Sequence, residues 1–242
     1  MSSSIVKLSS HSLRSKNGIY HSAWCSRFAG YGVVALCVNA VAVVIFAWSG
    51  LVRPASADAP CEIKTYAACA GADLTGEDLA NSELSVADLR RADLSGANLK
   101  EANLQGADLA AATVEKADLS DADLTGAQLE RADLSSTEAL RANFPNAVLN
   151  RADLRQADVR SANFESAQLQ KVDLRGADLR NATFVEANLV GANLKGANVE
   201  GADFDGSDWQ RGADLSRATW IDGSVCAQGS IGECLSQSNS SQ

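Results

Sequence analysis

From Leu74 to Trp209 a large apolar residue stands at every fifth position, with Ala139 the one exception and Leu140 beside it suggesting a local slip. Two residues earlier, 23 of the 28 positions are Ala; one residue earlier, 21 of the 28 are Asp or Asn, so the unit reads A-(D/N)-L-x-x. Such regularity makes an internal repeat the first thing to explain. On an α-helix a period of five puts successive leucines about 140° apart and leaves no apolar stripe. In extended chain neighbours alternate sides, so Ala and Leu face one way and the Asp or Asn between them faces the other. The last two residues of each unit, as in Ser95-Gly96, Gln105-Gly106 and Thr125-Gly126, are turn formers. Straight run and corner, repeated, close into a coil. The Phe residues at central positions, Phe144, Phe164, Phe184 and Phe204, fall 20 residues apart. Four repeats per coil stack them in one column, and 28 repeats then make about seven coils. The inward Ala is small because four large side chains already fill the axis. Glu77, Thr137 and Val172 depart from Ala and are expected to mark weak or terminal coils.

The repeat resembles the pentapeptide-repeat family across residues 72–220. The resemblance implies an all-β fold, a right-handed quadrilateral β-helix. It says little about function. Some acidic members resemble B-DNA in shape and charge and occupy the DNA-binding saddle of type II topoisomerases, which makes a DNA-mimicking modulator one reading. End-to-end dimers also belong to what the resemblance implies.

Another pattern precedes the repeats. Residues 28–52 carry no charged side chain, and 25 such residues, mostly apolar, suffice to span a bilayer as a helix. Four bases precede the run and one follows, which places the N-terminus in the cytoplasm and the remainder across the membrane. Ala55-Ser56-Ala57 then offers a small-x-small cleavage site. Residues 1–57 therefore read as a signal peptide or an uncleaved membrane anchor. The Ser-rich, acid-free stretch 1–27 also suits a transit peptide, so a thylakoid lumen stands as the alternative to a periplasm.

Cysteine usage fits an oxidising compartment. Cys61, Cys69, Cys226 and Cys234 form two pairs that bracket the repeats, each with seven intervening residues. Pairing within each couple closes a short local loop. The C-x7-C spacing is wider than metal ligands usually take, so no metal site is expected. Residues 58–71 read as an N-terminal cap. Residues 221–242 read as a C-terminal cap with a disordered tail, entered through an inserted residue at Gln210-Arg211-Gly212.

Charge changes the picture of function. Residues 58–242 hold 30 acids against 16 bases, or −14, which opposes a generic nucleic-acid binder. Both histidines, His11 and His21, lie in the N-terminal segment, so the repeat domain has no His for acid/base chemistry. No catalytic residue, cofactor or small-molecule substrate is expected. Counted modulo 20, Arg131, Arg151, Lys171 and Arg211 share one corner column with Arg91 further up, and Arg155, Arg175 and Lys195 share another. Aspartates lie beside both. The columns read either as a compensated solvated face or as a mixed-charge docking surface for a protein or polyanion. Taken together, the residues point to an exported, non-enzymatic structural or protein-interaction scaffold.

Overall fold

The computed structural model describes residues 61–235. The apolar run 28–52, the cleavage site at 55–57 and the tail 236–242 lie outside the described residues. Among the described residues no helix is long and apolar enough to cross a membrane.

Where Asp or Asn precedes the centre, a five-residue unit can pair all five of its backbone N–H groups, and the unit around Leu94 shows how. Leu94 and Gly96 donate to the carbonyls of Thr113 and Glu115 in the following coil, at 2.7 and 2.8 Å. Asn98 donates to Glu77 in the preceding coil at 2.9 Å, and Ala97 donates back to Leu94 across the turn at 3.0 Å. The fifth donor, Ser95, has no carbonyl to face. The side chain of Asp93 accepts it at 3.0 Å, an Asx turn. The same closure recurs from Asp73–Thr75 through Asp118–Ser120 to Asp214–Ser216. The Asp/Asn of the repeat therefore completes the backbone, because a buried or crowded N–H left unpaired is costly.

Corners are β-turns with positive φ at their third residue, the type II arrangement. Gly96 sits there at φ 65°, and so do Arg131, Arg151 and Lys171 at 59°, 60° and 58°. For a residue with a Cβ this region costs about 1–2 kcal/mol.

Parallel bridges join residues 20 apart from Ala68–Asp88 to Thr183–Asp203. Each coil thus has four faces. We number them by their first inward residue: the first face by Cys69, the second by Leu74, the third by Leu79 and the fourth by Leu84. On the first face the ladder runs over seven rungs, Ala68 to Asn188.

The interior is the stack of Ala and central residues. Phe144, Phe164 and Phe184 are fully buried on the fourth face. Their rings stack at 4.8 and 5.0 Å, then 4.9 Å to Phe204, with planes 3–8° apart. The third face adjusts to this bulk. Ala139, Val159 and Val199 stand immediately before Phe144, Phe164 and Phe204, where Leu is the rule in coils without Phe. Three of the four Phe coils thus offset the ring with a smaller neighbour, whereas Leu179 stands before Phe184. Ala139 is therefore matched to Phe144. The chain makes no slip at Leu140: Ala139 is fully buried, and Glu138 bridges Asp118 and Asp158 in unbroken register. Thr137 and Val172 are not weak points either, since both are buried inside the ladder. Thr137 satisfies its hydroxyl by donating to the Val114 carbonyl at 3.0 Å. Glu77 is half-buried near the start, where fewer coils cover it.

Both ends differ from the middle. Ala67 and Cys69 are buried in the Ala and central positions, so the ladder opens at Ala68, ahead of residue 72. Cys69 is disulfide-bonded to Cys61, with Cα atoms 5.0 Å apart. Toward the other end the rung spacing becomes 21, at Asn193–Asp214 and Asn198–Thr219. The chain then reverses, and antiparallel bridges Asp214–Ile231 and Thr219–Val225 lay it along the last coil. Cys226, fully buried, is bonded to Cys234 at a Cα separation of 4.9 Å. Strand edges that would otherwise stay open are covered in this way.

Candidate interaction surface

An Arg one residue after a centre lies two residues past the Asp before it, so both point outward from the same stretch of chain. Their side chains meet. Asp153–Arg155, Asp158–Arg160, Asp173–Arg175 and Asp178–Arg180 close at 2.6–2.7 Å, and Asp88–Arg90 does the same on the first face. Asp158, Asp178 and Asp88 are held below the usual carboxylate range, chiefly by hydrogen bonds from Arg160, Arg180 and Arg90. At Asp153 burial pushes the other way, and hydrogen bonds from Arg155 outweigh it. The same pairing raises the guanidinium groups further above their ordinary value. These pairs are partly exposed and neutralise each other locally, so each contributes little to stability.

The six cations of the docking surface read from the sequence therefore divide. Arg155 and Arg175 are bound to aspartates on their own face. Lys195 continues their column, but Asn193 replaces the Asp and no ion pair forms among the described residues. Arg131, Arg151 and Lys171 occupy the corner between the first and second faces, exposed and in register. Among the described residues, Arg151 and Lys171 make no ion pair, and Arg131 only a long one, 3.9 Å to Glu130.

Two features of that corner escaped the sequence reading. A groove of about 560 Å3 opens over Ala110 and Ala111, between Arg90 and Arg91 on one side and Glu130 and Arg131 on the other. Along the first face, Gln128, Val148, Gln168 and Asn188 occupy four successive rungs without one carboxylate. The gap follows the same 20-residue interval, at the Asp/Asn position, that stacks the Phe column. Among the described residues no three His, Cys, Asp or Glu side chains are grouped to hold a metal ion.

The model of the family "Pentapeptide repeats" matches this chain in eight copies, over residues 67–106, 102–138, 127–165, 140–176 and 173–208. This chain belongs to the pentapeptide-repeat family. Pentapeptide-repeat proteins wind as right-handed β-helices, and the 20-residue ladder is that coil. Among solved structures, HetL, a pentapeptide repeat protein involved in heterocyst differentiation regulation from Nostoc sp. strain PCC 7120, is 30% identical. The match covers 64% of this chain and 90% of HetL, with a TM-score of 0.30. Full-length QnrB1, a plasmid-mediated fluoroquinolone resistance protein, is 18% identical over 65% of this chain and 89% of its own, with a TM-score of 0.41. A pentapeptide repeat protein from the Arabidopsis thaliana thylakoid lumen is 32% identical over 48% of this chain and 82% of its own, with a TM-score of 0.25. Comparison with curated proteins gave no match.

Proposed function

We propose that this pentapeptide-repeat protein is an exported, non-enzymatic interaction scaffold that presents a rigid, flat-sided surface to a protein partner outside the cytoplasm. The observation that carries the reading is the division of labour within the repeat. Inward residues build the core, the Asp or Asn mostly closes the backbone, and corner residues, with the units that lack Asp or Asn, distinguish one face from another. Among the described residues no polar cluster is set apart from its repeat equivalents, as a catalytic site needs. The basic residues before 28–52, the apolar run and Ala55-Ser56-Ala57 support export, to a periplasm or, alternatively, a thylakoid lumen. The two local disulfides suit such a compartment. Cell fractionation followed by crosslinking in the native compartment tests both halves. Recovery of the chain from cytosol, or the absence of any crosslinked protein, overturns the reading.

A second reading is a DNA-mimicking modulator of a type II topoisomerase. The column Asp133, Asp153 and Asp173 on the second face, in a domain of −14, favours it. The paired Arg155 and Arg175 break that acidic line. A gyrase supercoiling assay decides it: no inhibition or protection at micromolar protein removes this reading.

A further inference from the structure

The corner after the first face joins two properties that no other described face combines. It carries the cation row Arg91, Arg131, Arg151 and Lys171, of which only Arg131 has an ion-pair partner, Glu130 at 3.9 Å, among the described residues. It also borders the four carboxylate-free rungs from Gln128 to Asn188. The fourth face is carboxylate-free over Asn143, Asn163 and Thr183, but its corners hold Glu165 and Glu186 instead of cations.

Spacing indicates what fits. The stacked Phe rings mark the rise per coil as 4.8–5.0 Å. Arg131, Arg151 and Lys171 are one coil apart, and Arg91 lies two coils beyond Arg131 across the groove at Ala110 and Ala111. The row thus spans about 20 Å, and side chains on one side of an extended peptide repeat every ~6.6 Å. Three or four acidic side chains of one strand fit along it. Guanidinium groups bind carboxylates in a two-pronged fashion, and the exposed amides of Gln128 and Gln168 can bond a peptide backbone. A long polyanion is disfavoured. Nucleic acid carries a charge every ~1.7 Å of duplex and would meet Asp153 and Asp173 on the adjoining face and a domain of −14. A short acidic segment feels chiefly the local row, because screening confines surface charge to roughly 8–10 Å.

We propose that the corner from Arg91 to Lys171 docks an extended, Asp/Glu-rich segment of a partner protein. This rests on the interaction-scaffold reading and supplies the partner's chemistry. The test titrates the full chain into a fluorescein-labelled twelve-residue peptide of alternating Glu and Ser, read by anisotropy at low and physiological salt. The triple variant R131Q/R151Q/K171Q is expected to weaken binding by roughly tenfold, the sum of three exposed charge contacts. The control R155Q/R175Q/R180Q removes equal charge from paired arginines and is expected to change binding by less than about twofold. A second variant, R131G/R151G/K171G, suits the positive φ of these corners and separates loss of binding from loss of fold, which circular dichroism monitors. Equal weakening by corner and control variants overturns the proposal. So does absence of peptide binding at millimolar protein, or tighter binding of a twelve-nucleotide single strand or a heparin fragment. A partner crosslinked equally by parent and corner variant would overturn the acidic-segment docking while leaving the scaffold reading standing.

Discussion

The indole of Trp220 lies 5.8 Å from the Phe204 ring and within 12° of parallel to it, so the column begun at Phe144 ends on an aromatic cover. Trp209 leans against both at 6.3 and 4.8 Å. Replacing Trp220 by Ala removes this cover where the chain reverses. A solenoid transmits such damage only to its neighbours. Hydrogen exchange should therefore quicken at Trp220, Cys226 and Ala227, with amides near Leu99 unchanged. Phe164→Ala in the middle of the column should instead lower global stability by about 3–5 kcal/mol in denaturant unfolding.

The Asx closure separates hydrogen bonding from charge. Asp118 accepts the Ser120 N–H at 2.8 Å. Asp118→Asn keeps the acceptor and should leave stability within about 0.5 kcal/mol, whereas Asp118→Ala should cost about 1 kcal/mol. Equal losses in the two variants would mean that charge, not the bond, matters there.

Acid should unfold this domain late. Asp88, Asp121, Asp158 and Asp178 are held below the ordinary carboxylate value by Arg90, Arg141, Arg160 and Arg180. Groups whose folded pKa is depressed bind more protons when unfolded, so their contribution is present above the unfolded value and lost as pH falls through the folded one. The melting temperature should be nearly flat from pH 7 to 5 and should fall below about pH 4. With Arg160→Gln and Arg180→Gln combined, the fall below pH 4 should be shallower.

Gly232 returns the chain onto the last coil at φ 67°, with its N–H on the Ala213 carbonyl at 2.9 Å. An added Cβ would collide with the backbone carbonyl of Gln210. Gly232→Ala should destabilise the C-terminal cap by at least about 2 kcal/mol, read as faster reduction of Cys226–Cys234 by dithiothreitol. Gly96→Ala, at a corner with open space, should cost about 1 kcal/mol from backbone strain alone.

Most of the coil was legible because the repeat is short and the Phe spacing counts residues per turn directly. The irregular units were harder to read. Ala67-Ala68-Cys69 lacks both Asp and Leu, so its membership in the ladder shows only when Ala68 pairs with Asp88. Ala139 looks like an error until Phe144 is seen to fill the same layer. The surface was legible only as columns. Which cations are spoken for depends on whether an Asp stands two residues before, as at Arg155, or an Asn does, as at Lys195. That distinction needs the faces laid side by side.

The rung spacing of 4.8–5.0 Å follows backbone bonds from coil to coil, which corner side chains join at few places, as where Asn150 accepts the Gln170 N–H at 2.9 Å. The corners therefore behave like pegs on a ruled board. A residue can be exchanged at Arg151 without moving Arg131 or Lys171, and a new pattern of charge can be written along an edge while the board stays as it was. A protein built this way can change partners by spelling alone.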